Sequence, residues 1–156
     1  MILNGFDESY AGKWQQVKQE GLDAFLAANG LNFVIRKFVL LFKTTMELTR
    51  EGDSKVKVVM KTGKTLEAVM DFSQEYEGDD GFDNKIMVKA TWEPSTKKMI
   101  AETTPIEGSK AKRSIVEKSL MPDDNNMMLE VMILPDDKFY ASDISRRRAC
   151  RNLLPI

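Results

Sequence analysis

The sequence contains no histidine and a single cysteine, Cys150, among its 156 residues. The lack of histidine removes Ser-His and Cys-His nucleophile activation, and it also removes the most common zinc ligand. One cysteine cannot form an intrachain disulfide, which favours a reducing compartment. We therefore expect no metal site, no cofactor and no enzymatic activity.

Long hydrophobic runs are also missing. No apolar stretch approaches the roughly 20 residues that a membrane-spanning helix needs, and the N-terminal MILNGFDESY lacks the regions of a signal peptide. The net charge is −1, with 42% hydrophobic and 30% charged residues, so nothing in the overall balance attracts nucleic acid. We expect a monomeric, cytoplasmic protein that binds no nucleic acid and could also enter nuclei.

What is present, from Thr45 onward, is a hydrophobic period of two, which is typical of β-strands. Eight segments show this period, and turns rich in glycine, proline and aspartate separate them. The segments are MELTRE, KVKVVMK, LEAVMDF, KIMVKATW, KMIAETT, RSIVEKS, MMLEVMI and FYASDIS. The stretch from Glu77 to Asp83 is predicted as a turn. Strands at about ten-residue spacing predict an antiparallel meander, and a sheet of eight to ten strands must curl or close into a barrel.

Before the meander, YAGKWQQVK at residues 10–18 predicts a first strand. GLDAFLAANG then places Leu22, Phe25 and Leu26 at helical spacing, and GLNFVIRKFVLLFK at residues 30–43 predicts a second helix. Helices near the N-terminus of a closed meander cannot be part of its wall. We expect the two helices to cap one end of the barrel.

The second helix has one broad apolar face when its residues are placed about 100° apart. The face consists of Leu31, Val34, Ile35, Phe38, Leu41 and Phe42. We expect this face to look down into the barrel, with Arg36 and Lys43 on the other side beside Phe33 and Leu40. Exposed apolar residues next to cations suit transient contact of the helix at 33–43 with a membrane or an entering ligand. The alternative is a capping helix whose cations are simply solvated.

Several of these segments resemble the intracellular lipid-binding proteins, the family of fatty-acid-binding and cellular retinoid-binding proteins. YAGKW resembles the family's Phe-x-Gly-x-Trp start, and EGLDAFLAANGLNFVIRK resembles its helical segment followed by Arg-Lys. KTLEAVMDFSQEYE and TWEPSTKKM are similar to later family segments. The resemblance runs from about Tyr10 to Arg148. It implies a ten-stranded antiparallel up-and-down β-barrel of the lipocalin-like (calycin) type with a two-helix lid, which holds a fatty acid, retinoid or similar lipid.

The family's carboxylate clamp is missing from this sequence. In most members an arginine in the eighth strand and an Arg-x-Tyr in the last strand meet the ligand carboxylate. The positions that match here hold Glu117 and, in the last strand, Ser142-Asp143-Ile144. Tyr140, Ser142 and Ile144 are then expected on the inner face.

The strand register leaves two alternatives open for the head group of a ligand. Glu117 would be costly inside as an anion, would need a cation such as Arg113, and would indicate a neutral or amine-bearing ligand. A one-residue slip would instead turn Lys118 inward and still permit a fatty acid. In the ninth strand, Leu129 and Val131 are expected to face inward, together with Met127 and Ile133.

At the portal, small residues of the family correspond to Val39 and Phe42, which would narrow the entry or the cavity. The family's portal phenylalanine corresponds to Gly63, and the basic residue after it is kept as Lys64.

These arguments predict a single barrel domain at residues 1–145 and a basic C-terminal tail at 146–156. The predicted function is non-covalent binding and transport of a hydrophobic ligand in the cavity. The alternative is a protein-interaction or structural module on a barrel with a reduced cavity. The predicted ligand-binding residues are Leu22, Phe25, Val39, Phe42, Met46, Lys64, Ile115, Glu117, Leu129, Val131, Tyr140, Ser142 and Ile144.

Overall fold

The computed structural model describes residues 2–134 and 139–147, and for residues 139–144 it describes the backbone only. Three helices and ten strands follow one another along this part of the chain. The helices are α1 (Phe6–Tyr10), α2 (Leu22–Ala28) and α3 (Phe33–Leu40). The strands are β1 (Gly12–Glu20), β2 (Thr45–Glu51), β3 (Lys55–Thr62), β4 (Lys64–Asp71), β5 (Tyr76–Asp79), β6 (Lys85–Glu93), β7 (Lys98–Pro105), β8 (Ser114–Met121), β9 (Asp124–Ile133) and β10 (Phe139–Arg147).

All ten strands form one antiparallel sheet in the order β4-β3-β2-β1-β10-β9-β8-β7-β6-β5. The first strand pairs with the last, Trp14 opposite Arg147, and this pairing curls the meander into a nearly closed barrel. β4 and β5 are the two edges of the sheet. The predicted ten-stranded barrel with a helical lid is confirmed, and all eight segments of period two are strands.

The period of two divides the strands into an inner and an outer face, most clearly in β6. Every second residue of β6 is buried, and the residues between them are exposed. The buried ones are Ile86, Val88, Ala90 and Trp92. The alternate positions are polar except for Met87, so a slip of the register by one residue would expose all four buried residues.

One strand of the described residues, β5, lies between β4 and β6 and was not predicted from the sequence. β5 covers Tyr76–Asp79 and lies partly in the stretch predicted as a turn. It has only four residues, two of them acidic and one glycine, so no hydrophobic alternation was available to detect it. Antiparallel pairing with β6, and no sequence pattern of its own, accounts for this strand.

The N-terminal segment forms a helix, α1, that the sequence analysis also missed, because five residues are too few to show a helical period. Phe6 and Tyr10 are fully buried, and the Tyr10 ring lies 5.6 Å from that of Trp92 at nearly a right angle. The Tyr10 hydroxyl donates to the Lys97 carbonyl at 2.7 Å, and the Trp92 indole donates to the Asn4 carbonyl at 2.8 Å. α1 therefore closes one end of the barrel with an aromatic plug.

The other end carries α2 and α3, which lie between the end of β1 and the start of β2. Among the described residues, no helix is both long and apolar enough to cross a membrane.

β10 extends through Arg147, two residues beyond the predicted domain boundary, and the rest of the predicted tail lies outside the described residues.

Candidate functional site

A cavity of about 230 Å³ lies inside the barrel beneath the two lid helices. Most of its wall is apolar, and the polar residues in it come from β1, β3, β9, β10 and the loops at the lid end. The lining residues are Trp14, Gln16, Gln19, Leu22, Phe25, Leu26, Val39, Thr44, Met46, Met60, Thr62, Leu66, Asp80, Phe82, Met128, Glu130, Met132 and Ser145. Four of the predicted ligand-binding residues, Leu22, Phe25, Val39 and Met46, meet in this wall.

A second cavity of about 210 Å³ lies on the far side of Phe25 and Leu26, against β6 to β8. The two cavities share these residues together with Asp80 and Phe82. A few side chains therefore separate two apolar spaces inside one barrel.

α2 is fixed to the barrel by its buried side and by its C-terminal end. Leu26 is buried against the barrel interior. Beyond the helix, the Asn29 side chain donates to the Phe25 carbonyl at 2.9 Å and accepts from the Lys112 amide at 3.1 Å. The second bond ties the lid to the loop between β7 and β8. The amphipathic spacing of this helix was correctly read from the sequence.

The orientation of α3 differs from the prediction. Arg36 turns toward α2, where its Nε lies 2.9 Å from Asp23 Oδ1 and its Nη1 donates to the Leu31 carbonyl at 2.8 Å. Val39 and Leu40, three and four residues later, share this half-buried side. A helical wheel gives only the relative angles of side chains, and the anchoring of the arginine sets which side faces the barrel.

The broad apolar face of α3 is consequently largely exposed to solvent and does not turn into the cavity, which corrects the expectation that it would look inward. Its exposed members are Val34, Ile35, Phe38, Leu41 and Phe42, while Leu31 is buried. Phe33 is exposed as well and lies 5.2 Å from the Lys37 Nζ.

On β8, the structure turns Lys118 toward the interior and Glu117 away from it. Lys118 pairs across the sheet with the buried Met99 of β7 and with Glu130 of β9, whose side chain lines the cavity. Its Nζ lies 2.7 Å from Glu130 Oε2. Glu117 instead lies 3.0 Å from Lys98 Nζ, and this bond raises the pKa of Lys98. The one-residue slip is therefore the arrangement found.

β9 carries the same shift. Met128, Glu130 and Met132 line the cavity, whereas Leu129 and Val131, which were expected to face inward, occupy the alternate positions. The turn between β8 and β9 is short, since β9 begins at Asp124. An irregularity between Leu120 and Met121 then shifts the register, so that Met121 lies opposite Asp124 but Leu120 lies opposite Met128. The expected inward positions of Met127 and Ile133 move outward with them.

The remaining predicted site residues lie outside the cavity wall or outside the described side chains. Phe42 packs on Phe38 with ring centroids 5.0 Å apart, and Lys64 donates to the Gly81 carbonyl at 3.2 Å. Ile115 occupies the same face of β8 as Glu117. The backbone of β10 places position 142 opposite Val131 and position 144 opposite Leu129. The side chains of Tyr140, Ser142 and Ile144 lie outside the described residues.

Sequence reasoning missed the polar part of the wall. Glu130 was passed over because its neighbours on both sides are apolar and were assigned the inner face. Thr62 and Asp80 were placed in turns, where polar residues are ordinary and give no signal. The Thr62 hydroxyl is buried and has no hydrogen-bond partner within the described part of the chain.

At the closed end of the barrel, the Tyr10 phenol and the Arg147 guanidinium both contact other protein groups. Burial, and secondarily the Glu117 carboxylate, raises the pKa of Tyr10 well above its usual range. Arg147 lies 4.8 Å above the Trp14 ring and donates to the Ser9 carbonyl. Burial favours the uncharged form of the phenol, and the guanidinium is in contact with the Trp14 ring and the Ser9 carbonyl.

Comparison with known proteins gives a consistent set of relatives, although no protein-family model matches the sequence. The chain is 29% identical over 110 residues to mouse (Mus musculus) cellular retinoic acid-binding protein 2, which covers 68% of this chain and 78% of the relative. It is 30% identical over 86 residues to a fatty acid-binding protein of Tyrophagus putrescentiae, covering 55% of this chain and 66% of the relative.

A solved structure shares the fold over almost the whole length. The Schistosoma mansoni fatty acid binding protein in complex with arachidonic acid superposes with a TM-score of 0.79 at 18% identity, covering 93% of this chain and 100% of that one. At this identity the superposition shows the fold alone. The sequence likeness to the named relatives, together with the barrel and its helical lid, supports the resemblance of the chain to the intracellular lipid-binding protein family.

Proposed function

We propose that this protein binds a hydrophobic ligand non-covalently in the barrel cavity and transports it, without catalysing a reaction. The observation that carries the proposal is an apolar cavity inside the barrel, lined by residues of α2, α3 and the strands. Its volume, taken with that of the adjoining cavity, reaches the range of roughly 300–1,000 Å³ that is typical of small-molecule sites. Relatives named for binding retinoids and fatty acids support the same role.

The ligand would be held mainly by burial of its hydrocarbon chain. Each buried methylene contributes about 0.8 kcal/mol, so a long chain gains most of its affinity without a charged clamp. We assign the contacts to the residues that line the wall, chiefly Leu22, Phe25, Val39, Met46 and Met128. We also propose that the carrier is cytoplasmic, because two of the relatives are named as cellular binding proteins.

The first experiment is native mass spectrometry of gently purified protein, followed by organic extraction and identification of bound molecules. We expect a mass increment that corresponds to one lipid, and the delipidated protein should take up lipids from a panel. A protein that is purified empty and takes up no member of the panel would refute the carrier function. The interaction-module alternative would then be favoured.

We further propose that the exposed face of α3 contacts membranes transiently during ligand transfer. Leu41 is 78% and Val34 is 74% exposed, and the nearby cations Lys37 and Lys43 are exposed as well. Apolar side chains flanked by lysines match the interface of a bilayer that contains anionic lipids.

The membrane contact can be measured by cosedimentation with vesicles. Wild-type protein should bind vesicles of phosphatidylcholine with phosphatidylserine more than vesicles of phosphatidylcholine alone. Leu41→Ser should reduce that binding severalfold, whereas Val17→Ser, at an exposed apolar position on β1, should leave it unchanged. Equal loss in both variants, or no binding by the wild type, would contradict the proposal.

A further inference from the structure

A lysine–glutamate pair lies inside the barrel, facing the cavity. The Lys118 Nζ and Glu130 Oε2 atoms are 2.7 Å apart, and their side chains are only 14% and 21% exposed. On the outside of β1, Lys18 and Glu20 make a pair of the same length whose side chains are 63% and 60% exposed. The internal pair has the same two side-chain types as the external pair but is less exposed to solvent, so its charges interact more strongly.

The charges around the cavity do not favour an anion. Glu130 and Asp80 are in its wall, and no lysine or arginine is among its described lining residues. Lys112, at the adjoining cavity, is exposed to solvent. Lys118 reaches the inner face, but Glu130 already neutralises it. Arg147 is engaged by Trp14 and the Ser9 carbonyl at the closed end. A ligand carboxylate would have to displace Glu130 and leave that carboxylate buried without its cation, which is strongly unfavourable.

Uncharged hydrogen-bonding groups are, in contrast, available in the wall. The buried Thr62 hydroxyl has no hydrogen-bond partner among the described residues, and a buried polar group without a partner destabilises the protein. A hydroxyl or amide head group of a ligand would satisfy it and would bring no charge into the cavity. Thr62 lies at the lid end of β3, next to the portal turn at Gly63.

We propose that the cavity selects lipids with an uncharged hydroxyl or amide head group and discriminates against free carboxylates, because Glu130 neutralises Lys118. The inference rests on the proposed carrier function and specifies its ligand class. Glu130 acts here as a specificity-determining residue. Its removal would leave Lys118 as an uncompensated cation at the cavity wall and would invert the preference.

The test uses three ligands with one 18-carbon tail: oleyl alcohol, oleate and oleylamine. Binding to delipidated protein is followed by the tryptophan fluorescence of Trp14, which lines the cavity. In Glu130→Gln, oleate should bind roughly tenfold or more tightly than in the wild type, and oleyl alcohol should change by less than threefold. Glu20→Gln, which breaks the exposed pair of equal length, should change neither affinity.

Each other result has a definite meaning. An oleate affinity that Glu130→Gln leaves unchanged would overturn the proposal, as would wild-type protein that binds oleylamine more tightly than oleyl alcohol. Wild-type protein that binds none of the three ligands would refute the carrier function instead. If Glu130→Gln does not fold, Lys118→Met with Glu130→Leu removes both charges. That double variant should keep its affinity for oleyl alcohol and gain none for oleate, and a tenfold gain for oleate would overturn the inference.

Discussion

Replacing Arg36 with methionine should loosen the lid without unfolding the barrel. The arginine makes an ion pair with Asp23 of α2 and a hydrogen bond to the carbonyl of Leu31, in the linker between the helices. Methionine keeps most of the apolar stem and removes the charge and both contacts. The perturbation therefore isolates the polar anchoring that sets the orientation of α3.

The two contacts differ in magnitude. The Asp23 side chain is 52% exposed, so its ion pair with Arg36 contributes at most about 0.5 kcal/mol after solvent screening. The hydrogen bond from the charged guanidinium to the Leu31 carbonyl is less exposed and contributes about 1.5 kcal/mol. Together they predict that the free energy of opening α3 falls by about 1.5–2 kcal/mol, which raises its opening constant roughly 10- to 30-fold.

Amide hydrogen exchange in α3 measures this opening directly. Arg36→Met should speed exchange of the α3 amides roughly 10- to 30-fold and leave the amides of β6 unchanged. Asp23→Asn should speed it no more than about threefold. Lys37→Met, at the neighbouring exposed lysine, should have less effect still. Equal acceleration by Asp23→Asn and Arg36→Met, or no acceleration by either, would refute the assignment of the arginine as the anchor.

Three other predictions concern the plug, a turn and the portal. Phe6→Ala, at a fully buried ring of α1, should lower the free energy of unfolding in urea by about 3–5 kcal/mol, and a loss below about 1 kcal/mol would show that α1 is not part of the core. Hydrogen bonds from the Ser73 side chain and amide lower the pKa of Asp71; the stability from this carboxylate is present above its unfolded pKa and lost as pH falls through the folded one. Ser73→Ala should therefore move the acid-unfolding midpoint, followed by circular dichroism, to higher pH. Gly63→Ala should lower the free energy of unfolding more than Gly52→Ala does. Both glycines have a positive φ, but only a Cβ at residue 63 would meet a lid phenylalanine, Phe42, at 3.1 Å. Equal losses of stability in urea would contradict this close approach.

The architecture could be predicted from the sequence because strand period and turn spacing are properties of the local chain. β6 illustrates this, since its alternation from Ile86 to Trp92 assigns the faces without any neighbour. The two elements that escaped prediction, α1 and β5, have five and four residues, too few for a period to be seen. Their order comes from contacts with distant parts of the chain, such as the bond from Trp92 to the Asn4 carbonyl.

The candidate site was predicted less well because its chemistry depends on orientation. The sequence could place Glu117 and Lys118 on opposite faces of β8, but the register with β9 puts Lys118 opposite Glu130. That register follows an irregularity in the pairing between Leu120 and Met121. In the same way, the sequence showed an apolar face on α3, but the contact between Arg36 and Asp23 decided where that face points. Such choices rest on a few contacts between elements, which no pattern within one element encodes.

The cations of the site share one property, and it bears on how the protein could discriminate among ligands. Arg36 is held by Asp23 and a carbonyl, Lys118 by Glu130, and Arg147 by Trp14 and the Ser9 carbonyl. Each of these three cations therefore contacts another group of the fold, which reduces its attraction for an anion from solution. Affinity would then come from the ligand tail, at about 0.8 kcal/mol for each buried methylene, which hardly distinguishes one long-chain lipid from another. Selectivity would come from the effect of the head group on the cavity wall. A carboxylate is rejected because it must break the Lys118–Glu130 ion pair.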